Sequence, residues 1–223
     1  MKAIVEDTLW TDYRPVKVMG IPMGRRMTVL RGSEGRILVW SPIPISPEVI
    51  DQLKALGGPF VFVFQNKLHD NHFDEYFEPF SDSIFVAPSR LLDGREDWPL
   101  TDLSDRPELL DGIEINEVGG MPKLEEHAFF HAETRTLIFA DLFFNMERPA
   151  KGMGRWLCAL ADIGGEPRPS RLFRSFIADE AAFTSSLHQI LKWDFDRIIP
   201  GHGEMIETGG KEVLKRAMAR WVG

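Results

Sequence analysis

The sequence predicts an α/β fold of αββα type, two β-sheets packed together with helices outside. Strand signals crowd the first half and return after residue 112, and helical patterns follow each β-rich stretch, so the chain alternates twice between the two states. A hydrophobic fraction of 43% over 223 residues is enough to bury a sizeable core. The expectation is one domain spanning residues 1–223.

The elements follow in order. Residues 27–30 and 36–40 are apolar runs flanking Gly32-Ser33-Glu34-Gly35, a hairpin signal. Ser46-Pro47-Glu48 opens a helix with a serine cap, a proline at the first position and an early acid. That helix runs to about residue 56 and stops at Gly57-Gly58-Pro59. Residues 60–64 form a continuous apolar run, the pattern of a strand covered on both faces. A polar segment, 65–72, and a short amphipathic stretch, 73–80, lead to a strand at 83–87 that Pro88 ends. Residues 93–111, rich in Asp and Pro, read as loop. Strands are expected at 113–118, 127–131 and 136–140, the last two joined by a turn at 132–134. Helices are expected at 153–163, 180–192 and 210–221, with a short strand at 195–200 running into Gly201-His202-Gly203.

Charge and cysteine content narrow the partners. Acidic residues outnumber basic ones 34 to 26, a net −8, which disfavours a broad phosphate-binding surface and hence nucleic acid. Cys158 is the single cysteine, so no intrachain disulfide forms, in keeping with a reducing cytoplasm. Residues 1–10 include Glu6 and Asp7 and lack the apolar centre of a signal peptide. No run approaches the ~18 apolar residues of a membrane span. The expectation is a soluble cytoplasmic protein whose partner is a small-molecule substrate or ligand.

Three clusters could carry chemistry, each just past an expected strand, where a sheet holds loop residues in place. They are Lys67-Leu68-His69-Asp70-Asn71-His72, then Phe139-Ala140-Asp141, then Pro200-Gly201-His202-Gly203. Imidazoles and a carboxylate are suitable ligands for zinc, iron or manganese. Glycines beside His202 allow a tight turn and a close approach of backbone to an ion.

On these residues the chain resembles the metallo-β-lactamase superfamily. That superfamily carries His-x-His-x-Asp-His after an early strand, a middle His, an Asp closing a strand, and a late Gly-His. Lys67-x-His69-x-Asn71-His72 lies over the first motif in register, Ala140-Asp141 over the usual Gly-Asp, and Ile199-Pro200-Gly201-His202-Gly203 over the last. The correspondence runs from about residue 27 to 204 and is similar to an uncharacterised branch whose first motif is degraded. It implies a sandwich of two mixed sheets flanked by helices. Lys67 stands where the first ligand histidine would be, and a charged ammonium cannot coordinate. Asn71 stands where an aspartate would ligate and orient water, and an amide is no general base. Residues 112–126 hold no histidine, and Pro122 falls near the middle ligand's place.

The resemblance therefore implies a partly eroded, mononuclear site with His69, His72, Asp141 and His202 as metal ligands. Lys67 and Asn71 would be the candidate catalytic groups, Lys67 on an anionic group or developing oxyanion and Asn71 more as an orienting group. The implied cofactor is one divalent metal, zinc ahead of iron or manganese. The implied activity is hydrolysis of a small ester, thioester, lactone or phosphoester by metal-activated water. Two alternatives stay open: a non-enzymatic ligand-binding module on a vestigial, metal-free fold, and a mononuclear iron oxidoreductase. His127 and His131 share a strand face with Phe129 and are expected at the sheet, with His127 an alternative middle ligand. His188 and Cys158 read as structural. Trp98 and residues 143–146 stand apart from the core aromatics and could line a pocket, and residues 91–110 and 143–165 would hold specificity.

Overall fold

The computed structural model describes residues 1–18, 21–147 and 151–223. Residues 148–150, part of the expected specificity segment, lie outside the described residues. The chain divides into two compact units, Met1–Arg14 with Arg26–Ile113 and Pro15–Arg25 with Glu114–Gly223. Its strands are β1 (Lys2–Val5), β2 (Leu9–Arg14), β3 (Lys17–Val18), β4 (Ile21–Pro22), β5 (Arg25–Arg31), β6 (Ile37–Trp40), β7 (Phe60–Val63), β8 (Ile84–Ala87), β9 (Leu100–Asp102), β10 (Ile113–Glu117), β11 (His127–His131), β12 (Thr136–Phe139) and β13 (Arg197–Pro200). The α-helices are α1 (Pro47–Lys54), α2 (Met153–Ala161), α3 (Arg171–Ser175), α4 (Glu180–Ile190), α5 (Gly210–Ala217) and α6 (Ala219–Val222).

The first unit is a seven-stranded mixed sheet in the order β1-β2-β5-β6-β7-β8-β9. β5 and β6 form the expected antiparallel hairpin, from Thr28 opposite Trp40 to Arg31 opposite Ile37. From β6 the sheet continues parallel through β7, β8 and β9. Parallel neighbours need a crossover, and α1 supplies it between β6 and β7. The Ser46 side chain caps α1, accepting from the Val49 amide at 3.3 Å. Val61, Phe62 and Val63 are all buried, as the unbroken apolar run requires of a central strand. Phe62 packs on Tyr76, Phe80 and Phe85, with ring centroids 4.9 to 5.4 Å apart. Trp98 belongs to this core rather than apart from it: it stacks on Phe73 at 5.8 Å, with Phe64 and Phe77 beside it.

Two features depart from expectation here. The loop-like stretch 93–111 contains β9, three residues that pair through backbone alone and are too short for a side-chain period. The first 26 residues carry β1 and β2, whose polar residues hid them; Leu9 and Thr11 face inward while Asp12 and Arg14 pair with each other at 3.1 Å.

The second unit holds a four-stranded sheet, β10-β11-β12-β13, and the two-stranded β3-β4. β11 and β12 are an antiparallel hairpin, while β12 and β13 run parallel. α4 starts at Asp179, whose carboxylate accepts from the Ala181 and Ala182 amides at 2.9 and 3.0 Å. The single helix expected at 210–221 breaks at Met218 into α5 and α6. α3 was not anticipated; it is five residues long, capped by Ser170, and shows one buried side chain, Phe173. The core gathers Phe139, Phe143, Phe173, Phe183 and Leu187, each worth roughly 1.5–3 kcal/mol when removed from water. No helix among the described residues is long and apolar enough to cross a membrane.

Candidate metal centre

Parallel register brings the late carboxylate and the late histidine to one place. Ile138 lies opposite Ile199 and Phe139 opposite Pro200, so the chain leaves β12 and β13 side by side. Asp141 and His202 each stand two residues past their strand's last paired residue. The Gly201 amide extends the ladder one step, donating to Ala140 O at 3.0 Å. Below Asp141 sits Glu126, fully buried, whose Oε1 accepts from the Ala140 and Asp141 amides at 2.7 and 3.1 Å. A carboxylate in that role fixes the backbone that carries another carboxylate. On the histidine side, Gly203 has φ +78, and a Cβ there would lie 2.1 Å from Asn145 O. The same Asn145 oxygen accepts from the Glu204 amide at 2.6 Å, tying the two loops together. Phe144 stacks on the His202 ring at 5.6 Å and 20°, and is buried with Phe143 and Met146. The segment expected to line a pocket is therefore packing material for the histidine.

The proton on His202 can be assigned from its neighbours. Its Nδ1 lies 2.5 Å from Gly24 O, an atom that can only accept, so Nδ1 carries hydrogen. Burial lowers the pKa of His202; the Asp141 carboxylate and the Gly24 bond act upward, Arg25 adds to the lowering, and the net direction is down. In the neutral ring the lone pair is therefore on Nε2. That nitrogen stands 3.6 Å from Asp141 Oδ1, both side chains about nine-tenths buried. A metal ion, or a proton on Nε2, can bridge a pair so placed.

In the first unit, His69 is 2% exposed and is set by a turn. Asn66 Oδ1 accepts from the Leu68 and His69 amides at 2.9 and 2.8 Å, bending the chain directly after β7. Ser41, in the left-handed region at φ +50, donates its hydroxyl to Gln65 Oε1 at 2.5 Å. With that hydrogen spent, Ser41 Oγ accepts from His69 Nδ1 at 3.1 Å, which again leaves the lone pair on Nε2.

The remaining candidates take other places. His72, at φ +70, pairs through Nδ1 with Glu75 at 2.6 Å, with about a third of each side chain exposed. Asn71 is exposed and Lys67 half-buried, while Asp70 between them is bound by Arg95 at 2.8 Å. His127 and His131 are buried at the sheet, bonded to Glu125 O and Thr134 Oγ1, each at 2.9 Å. His188 is exposed on α4, and Cys158 is buried with Phe144, Met146 and Ile163. Asp141 and His202 in the second unit, and His69 in the first, carry donor atoms of the kind that holds a metal ion. Glu126, Ser41, Asn66 and Gly24 orient these groups. The sequence offered no signal for them beyond the polar stretch at residue 65, because each acts across a long gap in the chain or through backbone.

No family model matches the chain, and no curated protein matches it by sequence. Solved structures do. The metallo-β-lactamase FIM-1 from Pseudomonas aeruginosa, in its mono-zinc form, matches 98% of this chain and 95% of its own at a TM-score of 0.63 and 14% identity. DIM-1 metallo-β-lactamase exposed to ceftazidime matches the same shares at 0.61 and 15%. The flavodiiron core of Flv1 from Synechocystis sp. PCC6803 matches 96% of this chain and 58% of its own at 0.59 and 11%. The fold is metallo-β-lactamase-like. At such identities the likeness establishes that fold, two mixed sheets with flanking helices, and the chemistry rests on the donor atoms described above.

Proposed function

We propose that the protein is a metal-dependent hydrolase with a mononuclear site built on Asp141 and His202, to which the sequence motif adds His69 as a ligand. The observation that carries this reading is His202 Nε2 standing 3.6 Å from Asp141 Oδ1, with Nδ1 committed to Gly24 O. His69 has the same tautomer, set by Ser41, and so contributes a second neutral imidazole nitrogen. The residues fit the ion, since two neutral imidazoles and one carboxylate suit zinc, with iron and manganese next. A divalent ion supplies Lewis acidity and lowers the pKa of water toward neutrality. The chain's own part is to commit each ring's Nδ1 to an oxygen, hold Asp141 by its backbone on Glu126, and shield His202 with Phe144. Lys67, two residues before His69, is a candidate for binding an anionic substrate group, and Asn71 for orienting one. The substrate class is a small ester, thioester, lactone or phosphoester.

Elemental analysis of protein purified without added metal or chelator tests the reading, alongside His202→Ala and Asp141→Asn. About one equivalent of metal, absent from both variants with the circular dichroism unchanged, is the expected result. Hydrolysis of a substrate from those four classes should vanish with it. Failure to take up zinc, iron or manganese after reconstitution would overturn the proposal and favour a metal-free binding module. Bound iron with redox turnover and no hydrolysis would favour the oxidoreductase.

A further inference from the structure

The second unit contains a cavity of about 670 Å³ that the metal reading leaves unused. Arg168, Arg174, Arg216 and Arg220 line it, against the carboxylates of Asp162 and Glu166. In a chain of net charge −8, a wall with four guanidiniums and two acids is a local reversal of sign. The arginines are partly braced in advance. Asp162 Oδ2 accepts from Arg174 Nη2 at 2.7 Å and Oδ1 from Arg168 Nη1 at 3.4 Å, and Pro169 O accepts from Arg174 Nη1 at 3.0 Å. Arg220 pairs with Glu180 at 2.7 Å. Arg216, exposed on α5, makes no side-chain hydrogen bond or ion pair within 4 Å among the described residues, though its charge also acts on the Glu212 carboxylate.

A second, independent feature lies in the same wall. Trp221 lines the cavity, and its indole Nε1–H is buried with no hydrogen-bond partner. A buried donor without a partner calls for one, an ordered water or a ligand atom. Its ring is held edge-on by Phe183 at 5.1 Å and by the Arg220 guanidinium at 5.4 Å. Arg216 and the Trp221 indole are donors, and the Glu166 carboxylate is the one acceptor among the lining side chains without a hydrogen bond. Apolar surface comes from Val213, Ala217 and the prolines Pro167 and Pro169.

We propose that this cavity is a binding site for a small organic oxyanion, a phosphate or carboxylate on an apolar body. Its oxygens would be received by Arg216 and the Trp221 indole N–H, and its body would lie on the prolines and Val213. Guanidinium forks match both oxyanions, and a strong bond to a charged acceptor is worth about 1.5–3 kcal/mol, or roughly tenfold and upward in affinity. The site is separate from the proposed metal ligands, so the two readings fail independently.

Isothermal titration of the full chain with phenyl phosphate, benzoate and inorganic phosphate tests it, on EDTA-treated and untreated protein. Saturable binding of phenyl phosphate or benzoate is expected, tighter than inorganic phosphate by about tenfold or more, and unchanged by EDTA or by His202→Ala. Arg216→Gln should weaken it about tenfold or more. Trp221→Phe, which keeps the ring contact and removes only the N–H, should weaken it several-fold, about 1 kcal/mol. The tighter of the two organic probes identifies the headgroup. No saturable binding, binding untouched in both variants, or binding lost on adding EDTA would each overturn the proposal.

Discussion

A histidine offers a metal only the nitrogen that its other contacts leave unprotonated, so the atoms behind the ring matter as much as the ring. Gly24 O does this for His202 and the Gln65–Ser41 relay for His69. The candidate donors stood out in the sequence, because Asp141 and His202 close apolar runs and His69 sits in a polar cluster after one, while His72, named with them, pairs with Glu75. Their supports were not, since Ser41 is 28 positions from His69 and Gly24 is 178 from His202. Glu126 gives the sharpest test at this scale. Glu126→Ala would strand the Ala140 and Asp141 amides in a buried position, and chemical denaturation should show a loss of about 2–3 kcal/mol. Metal affinity should fall about 10- to 100-fold, the range for loss of a group that orients ligands. Glu126→Gln, which keeps an acceptor oxygen, should recover most of both; an equal loss in Gln and Ala would mean that the charge, not the acceptor, is what Asp141 needs.

Elements with a clean side-chain period were read from sequence: the β5–β6 hairpin, α1 with its serine cap, the buried run of β7, and the β11–β12 hairpin. The ones missed lack such a period. β9 is three residues, α3 is five, and β2 alternates with charged side chains. What sequence could not show was the parallel register of β12 and β13, a long-range pairing that sets Asp141 beside His202. The loop after β13 depends on Gly203, at φ +78 and with Asn145 O where a Cβ would go. Gly203→Ala should therefore cost more than about 2 kcal/mol and loosen the His202 loop, seen as faster amide exchange at Glu204. The β11–β12 turn carries a pH dependence. Burial lowers the pKa of His131, with Glu133 pulling it back only in part. The unfolded chain then takes up a proton near 6.5 before the folded one does, so stability is complete above that value and falls as the pH drops through it toward the lower folded value. Metal-free His131→Gln should show a shallower loss of stability between neutral pH and pH 5 than the parent; an identical slope would assign the dependence to other groups.

At the scale of the whole molecule, each unit has its own hydrophobic core, one built on Phe62, Phe64 and Phe85 and the other on Phe139, Phe173 and Phe183. Neither core includes His69, Asp141 or His202, and the fold-level likeness to metallo-β-lactamases says what the scaffold is without saying that it is loaded. Stability separates the two cases. An ion that binds the folded chain and not the unfolded one adds RT ln(1 + [L]/Kd), about 2.7 kcal/mol at a hundredfold excess over Kd. For a chain of this size, that is a rise in Tm of roughly 5–10 °C. Scanning calorimetry of the EDTA-treated protein with and without zinc should show that rise, and its size should grow with the logarithm of zinc concentration. In His202→Ala the rise should shrink to near zero while the metal-free Tm stays within a few degrees of the parent, because the substitution removes the imidazole that faces Asp141 rather than a part of either core. A zinc-independent Tm in the parent would mean that the facing groups are held apart by the scaffold alone, and the Asp141–His202 pair would then be a buried polar contact with no ion to serve.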